Sequence, residues 1–554
     1  MSPRLVFPAF CLSVALATGF AQTETPKPTA EAPKPPAVRE TPPDQKAYTA
    51  ATRTMDPTEK IAALEKFKVD FPKSDMRSGA DSAILTALVK SFPTEKGRIT
   101  KQAKAMYGRA EARSKGSAAN EIALEYLDGG ILLKDAEGWA KKGVADLQEA
   151  KYAKEQKENA ETRKGKPPSD EDIAKRFKTA RASRLATLGR IEVARGERAQ
   201  GQKLLEEAWA ANPALVPVGA TLGELAFKAG NDTKAMELLV PARLSGRAPA
   251  SANAALESLY KKQHNGSLTG FTAMLDEQYK KLYPNPVTVE EYHPSEKRSD
   301  RLVLAEVFTG AGCPPCVGAD LAFDAAMERY SRKELAVVFY HVHVPRPDPM
   351  TNPETTARSK AYGVNGVPSY AIDGKMLGGG GGGRDSAKGI YERIVTPIEK
   401  DMDLPAEAKL TAHAAIAGGV VKVTGSVDDV KDDSGDVNVQ VLLVEKLIRY
   451  SGENGVRFHP MVVRAIGEEK AEKSFSRTFN LDEVSAALKK HLDEYEAGGH
   501  RGETFKFSEK KDAIDHANLA VVVMVQDAKT KHVLQSVLID LSSGSSGRIS
   551  TETK

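Results

Sequence analysis

The stretch Arg301–Cys316, RLVLAEVFTGAGCPPC, decides how this chain folds. Its apolar run, Leu302–Phe308, is short and carries Val303, Leu304 and Val307, so it reads as a buried strand. Small residues, Thr309–Gly312, make a turn, followed by Cys313, Pro314, Pro315 and Cys316. Beyond them, Val317–Tyr330 has helical spacing, with Leu321, Phe323, Ala326, Met327 and Tyr330 on one broad face. Cys313 therefore falls at a strand-to-helix turn. There, free backbone N–H groups and the positive end of the helix dipole stabilise a thiolate.

Continuing downstream, Leu335–Val344 reads as a second strand. Asn352-Pro353-Glu354 is a helix start, with Asn as cap and Pro at the first helical position, and that helix runs to Tyr362. Val367–Ile372 is a third strand, Asp373-Gly374 a hairpin turn and Lys375–Leu377 a fourth strand. Gly378–Gly383 lacks the Lys-Ser/Thr of a phosphate loop and reads as a flexible loop before a last helix, Arg384–Lys400. Right-handed crossovers turn this order into a small mixed sheet with helices on both faces.

Residues 405–542 alternate with a period of two over Lys409–Ala417, Val420–Val427, Val437–Val444, Phe475–Leu481, Leu519–Gln526 and Val533–Leu541. One helix, Leu481–Tyr495, interrupts them. The pattern predicts a mainly antiparallel, sandwich-like β domain, followed by a polar tail over 543–554.

Upstream, Asp44–Tyr283 is rich in Ala, Leu, Glu and Lys and reads as helical throughout. A shift of 34 residues maps Leu188, Gly189, Gly196, Leu204, Leu205 and Ala208 onto Leu222, Gly223, Gly230, Leu238, Leu239 and Ala242. The small residues permit close helix contact and a turn, and the leucine pairs fill the space between helices. This resembles tetratricopeptide repeats, and a generic array of helical hairpins is the competing reading. Either array presents an extended surface suited to a protein partner. Pro284–Asp300 is a polar connector to the strand at 302.

At the amino end, Arg4, the apolar Leu5–Phe20 and Gly19-Phe20-Ala21 have the order of an export signal over residues 1–21. Seven prolines between Thr23 and Pro43 make 22–43 a semi-extended linker. Cleavage after Ala21 would remove Cys11 and leave Cys313 and Cys316 as the cysteines of an exported, periplasmic or secreted chain. A net charge of +4 over 554 residues, with Lys and Arg interleaved with Glu, indicates solvated helix faces and no nucleic-acid surface. No apolar run after residue 21 is long enough to span a membrane.

Three features together resemble the thioredoxin fold family over about 295–400: the strand ending in Phe308, the Cys313-Pro314-Pro315-Cys316 turn opening a helix, and Tyr362–Pro368 (YGVNGVP) opening the third strand. The segment 405–542 is more weakly similar, through Tyr450–Arg464 and Leu519–Gln535, to a companion domain of bacterial envelope thioredoxin-like proteins. The resemblance implies thiol–disulfide exchange, with Cys313 as the attacking sulfur, Cys316 as the resolving one, and Pro368, in cis, against the pair. It implies no cofactor. Its partners would be client proteins carrying thiols or disulfides; a reductant in an oxidising compartment would also need electrons from a membrane partner.

The residues support exchange independently, because a disulfide spanning four residues is a poor staple. It constrains the unfolded chain by about 2 kcal/mol, against ~4.7 for a 100-residue loop. Pro314 and Pro315 lack N–H, so a Cys313 thiolate has fewer donors and the couple is expected to be a reductant or isomerase. Gly312 stands where the family usually has Trp, which leaves the first cysteine more open. Glu306 is the one acid on the first strand and a candidate proton acceptor. His341 and His343 could join the two thiolates in a copper or zinc site, or simply cap and pack. A scaffold with marginal cysteines and a copper-handling protein are thus the alternatives to an oxidoreductase.

Overall fold

A computed structural model describes residues 41–431, 435–541 and 547–549. The export signal, most of the proline-rich linker and most of the tail lie outside the described residues.

Helices fill the first half: α1 Pro43–Arg53, α2 Pro57–Asp70, α3 Arg77–Ser91, α4 Lys96–Arg109, α5 Lys115–Asp128, α6 Leu133–Asp146, α7 Glu149–Thr162, α8 Asp170–Ala194, α9 Arg198–Ala211, α10 Val216–Lys228, α11 Asp232–Leu244, α12 Ala250–Gln263 and α13 Phe271–Leu282. The 34-residue period has a packing basis. A Cβ on Gly189 of α8 would lie 2.8 Å from Leu205 Cγ of α9, and one on Gly223 of α10 would lie 2.7 Å from Leu239 Cγ of α11. The same glycine-on-leucine contact thus closes both helix pairs. Gly196 and Gly230 follow α8 and α10 with φ of 95° and 75°, the left-handed conformation in which glycine ends a helix.

The second half contains β1 Val303–Thr309, α14 Cys316–Arg329, β2 Leu335–His341, α15 Pro353–Ala361, β3 Ser369–Ile372, β4 Lys375–Gly379 and α16 Ala387–Met402. Then follow β5 Lys409–Ala417, β6 Val420–Asp428, β7 Val437–Arg449, β8 Phe458–Lys470, β9 Phe475–Asn480, α17 Leu481–Gly498, β10 Leu519–Asp527, β11 Val533–Asp540 and β12 Gly547–Ile549. Asn352 caps α15 in a reciprocal capping box with Thr355. Asp373 and Gly374, at φ of 41° and 82°, form the tight turn between β3 and β4.

Two expectations about the second half need correction. First, 295–400 and 405–542 do not build separate sheets. One mixed sheet runs β11-β10-β7-β8-β2-β1-β3-β4, and a second, antiparallel sheet runs β12-β5-β6-β9. The junction is β8, which pairs antiparallel with β7 and meets β2 in parallel at Phe339–Val462. Second, Gly547–Ile549, inside the expected polar tail, pairs with β5.

A sandwich does exist, but only over half of the large sheet. Val439, Val441, Leu443, Val521, Val523 and Val525 share a core with the second sheet. Their neighbours Leu442, Val444, Val522 and Met524 join the core that holds β1, β2, α14 and α16. Alternate residues of one strand thus enter two cores, which explains the unbroken apolar runs Val441–Val444 of β7 and Leu519–Val525 of β10.

The large sheet curls until its far strands meet. Arg301, 1% exposed, donates to Asp373 Oδ2 at 2.8 Å, to the carbonyls of Val533 (2.6 Å) and Pro405 (3.2 Å), and to Glu407 at 3.2 Å. Asp373 also accepts the Leu304 N–H at 2.8 Å. Burial pushes its carboxyl up to about 6, against the pull of the Arg301 guanidinium and this backbone donor.

Arg301→Leu is expected to destabilise the chain by about 3–5 kcal/mol in urea unfolding, because it leaves Asp373 buried without its cation. In the helical array, Gly201→Ala would set a Cβ 2.7 Å from the Gly189 carbonyl and 2.9 Å from the Val193 nitrogen, both backbone atoms. A loss of about 1–3 kcal/mol is expected. Exposed Gly138 of α6 has nothing within 4 Å of such a Cβ, so Gly138→Ala should gain about 0.5–1 kcal/mol.

Candidate functional site

Strand β1 is buried along its whole length and delivers the chain to the turn that holds the cysteines. Cys313 and Cys316 are joined in a disulfide, with Cα atoms 5.3 Å apart. Pro368 follows a cis peptide bond, and the Val367 carbonyl oxygen lies 3.7 Å from Cys313 Sγ. The structure therefore brings Cys313, Cys316 and Pro368 together.

The surroundings differ from the expectation of an open site. Both cysteines are 0% exposed, while Pro314 and Pro315 between them face outward. Gly312 opens nothing, because Arg346 fills the space and its Cβ would lie 2.8 Å from a Cβ at 312. The glycine loop expected to be flexible is docked. Gly382 donates to the Pro315 carbonyl at 2.7 Å, and its own carbonyl accepts the Gly318 N–H at 2.9 Å. A Cβ on Gly381 would clash with the Pro315 carbonyl and lie 2.8 Å from Pro368 Cδ. Only glycine lets this backbone lie over the pair. From the other side, the tip of the β7–β8 hairpin closes in, with Asn454 donating to the carbonyls of Ala311 (3.0 Å) and Gly310 (3.3 Å).

The loop before Cys313 is pinned by two buried acids that the sequence reading passed over. Thr309 donates to Asp320 at 2.7 Å, and the Ala311 N–H donates to Asp348 at 2.6 Å. Asp320 lies four residues after Cys316, on the same helix face. That spacing was the available signal. Burial pushes its carboxyl up to about 7. Burial would also raise Asp348, but His341 at 2.8 Å and the N–H groups of Ala311 and Met350 outweigh it and hold the carboxyl down at about 2.

The other candidates are engaged elsewhere. Glu306 is ion-paired with Arg358 at 2.7 Å and accepts from Tyr340 at 2.9 Å and from Tyr362. His341 is bound to Asp348, and His343 stacks on Tyr495 at 3.8 Å between ring centres. Burial pushes His343 down to about 4. Among the described residues no group of three or more His, Cys, Asp or Glu side chains is arranged to hold a metal ion.

The helical array reaches this site. A cleft of about 400 Å³ separates Pro314 and Val317 from Trp209, Val216, Pro241 and Leu244 of α9–α11. Pro314, between the cysteines, therefore faces the helical array.

No family model matches this chain, and no curated protein matches it. Among solved structures it is similar to HBP35 of Porphyromonas gingivalis, at 16% identity and a TM-score of 0.32, over 47% of this chain and 82% of that one.

The Asp320 carboxyl holds its proton more tightly folded than unfolded, so stability falls as pH rises from about 4 to about 7. Asp320→Asn, which can still accept from Thr309, should remove that fall. Its melting temperature should exceed that of the parent chain above pH 7 and match it near pH 4. Superimposable pH profiles of the two proteins would count against a buried, protonated Asp320.

Proposed function

We propose that this chain is an exported thiol–disulfide oxidoreductase with a thioredoxin-like centre and a tetratricopeptide-like partner module. The observation that carries this reading is the disulfide at the strand-to-helix turn, set against the carbonyl that precedes Pro368. In the reduced protein the Cys313 thiolate attacks one sulfur of a client disulfide. The client S–S bond breaks, a mixed disulfide forms, and one client thiolate departs. The Cys316 thiolate then attacks Cys313 Sγ, which closes the internal disulfide and releases the second client thiolate. The client gains two electrons, and a membrane partner resupplies them to the oxidised chain.

The surroundings favour the reducing direction. The two prolines offer no N–H, and the Gly318 N–H is already given to Gly382. A Cys313 thiolate is thus weakly stabilised, and so is the reduced form. Exchange also requires the cover to lift, since neither sulfur is exposed. The glycine loop is the segment suited to this, because it has no side chains of its own and meets the cysteine turn through two backbone bonds, at Pro315 and Gly318. Complete burial is also the observation that favours the second reading, a scaffold in which the disulfide merely closes the turn.

Insulin reduction with dithiothreitol separates the two readings. The chain should accelerate precipitation of the insulin B chain, and Cys313→Ser should lose all acceleration. Equilibration with glutathione should give a potential well below the about −120 mV of a strong oxidant. A folded chain whose cysteines resist reduction and catalyse nothing would leave the scaffold.

A further inference from the structure

A second cleft, of about 780 Å³, opens where the α11–α12 loop and α13 meet the β7–β8 hairpin and the stretch 505–511. It is walled by five arginines, Arg243, Arg247, Arg346, Arg449 and Arg457, and two lysines, with only Glu453 and Glu509 lining it as acids. The whole chain carries a net charge of just +4. Positive charge is therefore concentrated in this recess, where low-dielectric walls focus its field.

These cations are not equally engaged. Arg449 and Arg457 share the one carboxylate of Asp276, each at 2.7 Å. Arg346 pairs with Glu453 at 3.0 Å, on an exposed rim where such pairs contribute little. Among the described residues, Arg243 and Arg247 make no ion pair. Phe271 and Tyr450 give the recess an aromatic wall. The walls are also fixed against each other. Gly246, at φ 69°, brings its backbone so close to the Gly452 carbonyl that a Cβ would clash.

We propose that this cleft binds a small polyanion, a ligand with at least two phosphate or carboxylate groups, held chiefly by Arg243 and Arg247. Guanidinium forks match both anions two bonds at a time. The volume falls within the range of small-ligand sites, about 300–1,000 Å³. A nucleic-acid duplex would need a basic stripe, and this is a recess. The site does not depend on the cysteines.

Calorimetric titration of the full chain with tripolyphosphate and, separately, citrate tests the proposal. Saturable one-to-one binding of at least one probe is expected, weakening as salt rises. The arm that binds tells phosphate from carboxylate chemistry. Arg243→Ala/Arg247→Ala should weaken it at least tenfold, Arg243→Lys/Arg247→Lys should do so less, and Arg181→Ala, outside the cleft, should change nothing. Circular dichroism identifies any variant that fails to fold, and the lysine pair then carries the comparison. No binding of either probe, or equal binding by the arginine variants and the parent chain, would overturn the site.

Discussion

The guanidinium of Arg301 joins three stretches that lie far apart in the chain: the β3–β4 turn, β11 and the connector before β5. An arginine this deep is costly unless all its donors are met. Here a carboxylate, two carbonyls and a second acid meet them. Around it, Gln535 accepts the Leu302 N–H, Ser536 donates to the Leu302 carbonyl, and the Val533 N–H reaches the Asp373 carbonyl. The curl of the sheet follows from these bonds, because the β10–β11 hairpin is drawn back over the start of β1. That in turn fixes where β1 points its carboxyl end, and so where the cysteines stand.

Much of this was legible in the sequence where one pattern had one meaning. The Arg301–Cys316 strand and turn, the Asn352 cap, the Asp373-Gly374 turn and the 34-residue period each rest on local chemistry. What was hidden depended on distant partners. β8 carries Pro460, a buried Arg464 paired with Glu445, and a register shift opposite Leu443–Val444, so its alternation is broken. Without β8 the two halves of the sheet look like two domains. Exposure of the sulfurs was equally unreadable, since it depends on a glycine loop and a hairpin tip 65 or more residues downstream. Gly312 shows the same limit: its missing side chain suggested space, and Arg346 occupies it.

The centre itself is a layered arrangement. Two acids pin the loop before Cys313, and their protonation is divided by environment. Asp320 has one hydroxyl donor and is raised by burial, whereas Asp348 has a histidine and two N–H donors and is lowered. A proton can therefore reside on Asp320 near neutral pH, on the helix that carries Cys316. Glu306, the acid most visible in the sequence, is instead committed to Arg358 and two tyrosines, and ties β1 to α15.

The position of β8 has a consequence for how this protein can be handled or inherited. Cutting the chain near residue 403 would strip β2 of its β8 neighbour and leave a strand that is buried along its whole length, apolar from Leu335 to Phe339, as a naked border. Such a border recruits other strands, so the truncated piece would self-associate before it could work alone. The cysteine-bearing unit is not a cassette that evolution or a cloning scheme can lift out. It depends on the strands that follow residue 403, β8 above all.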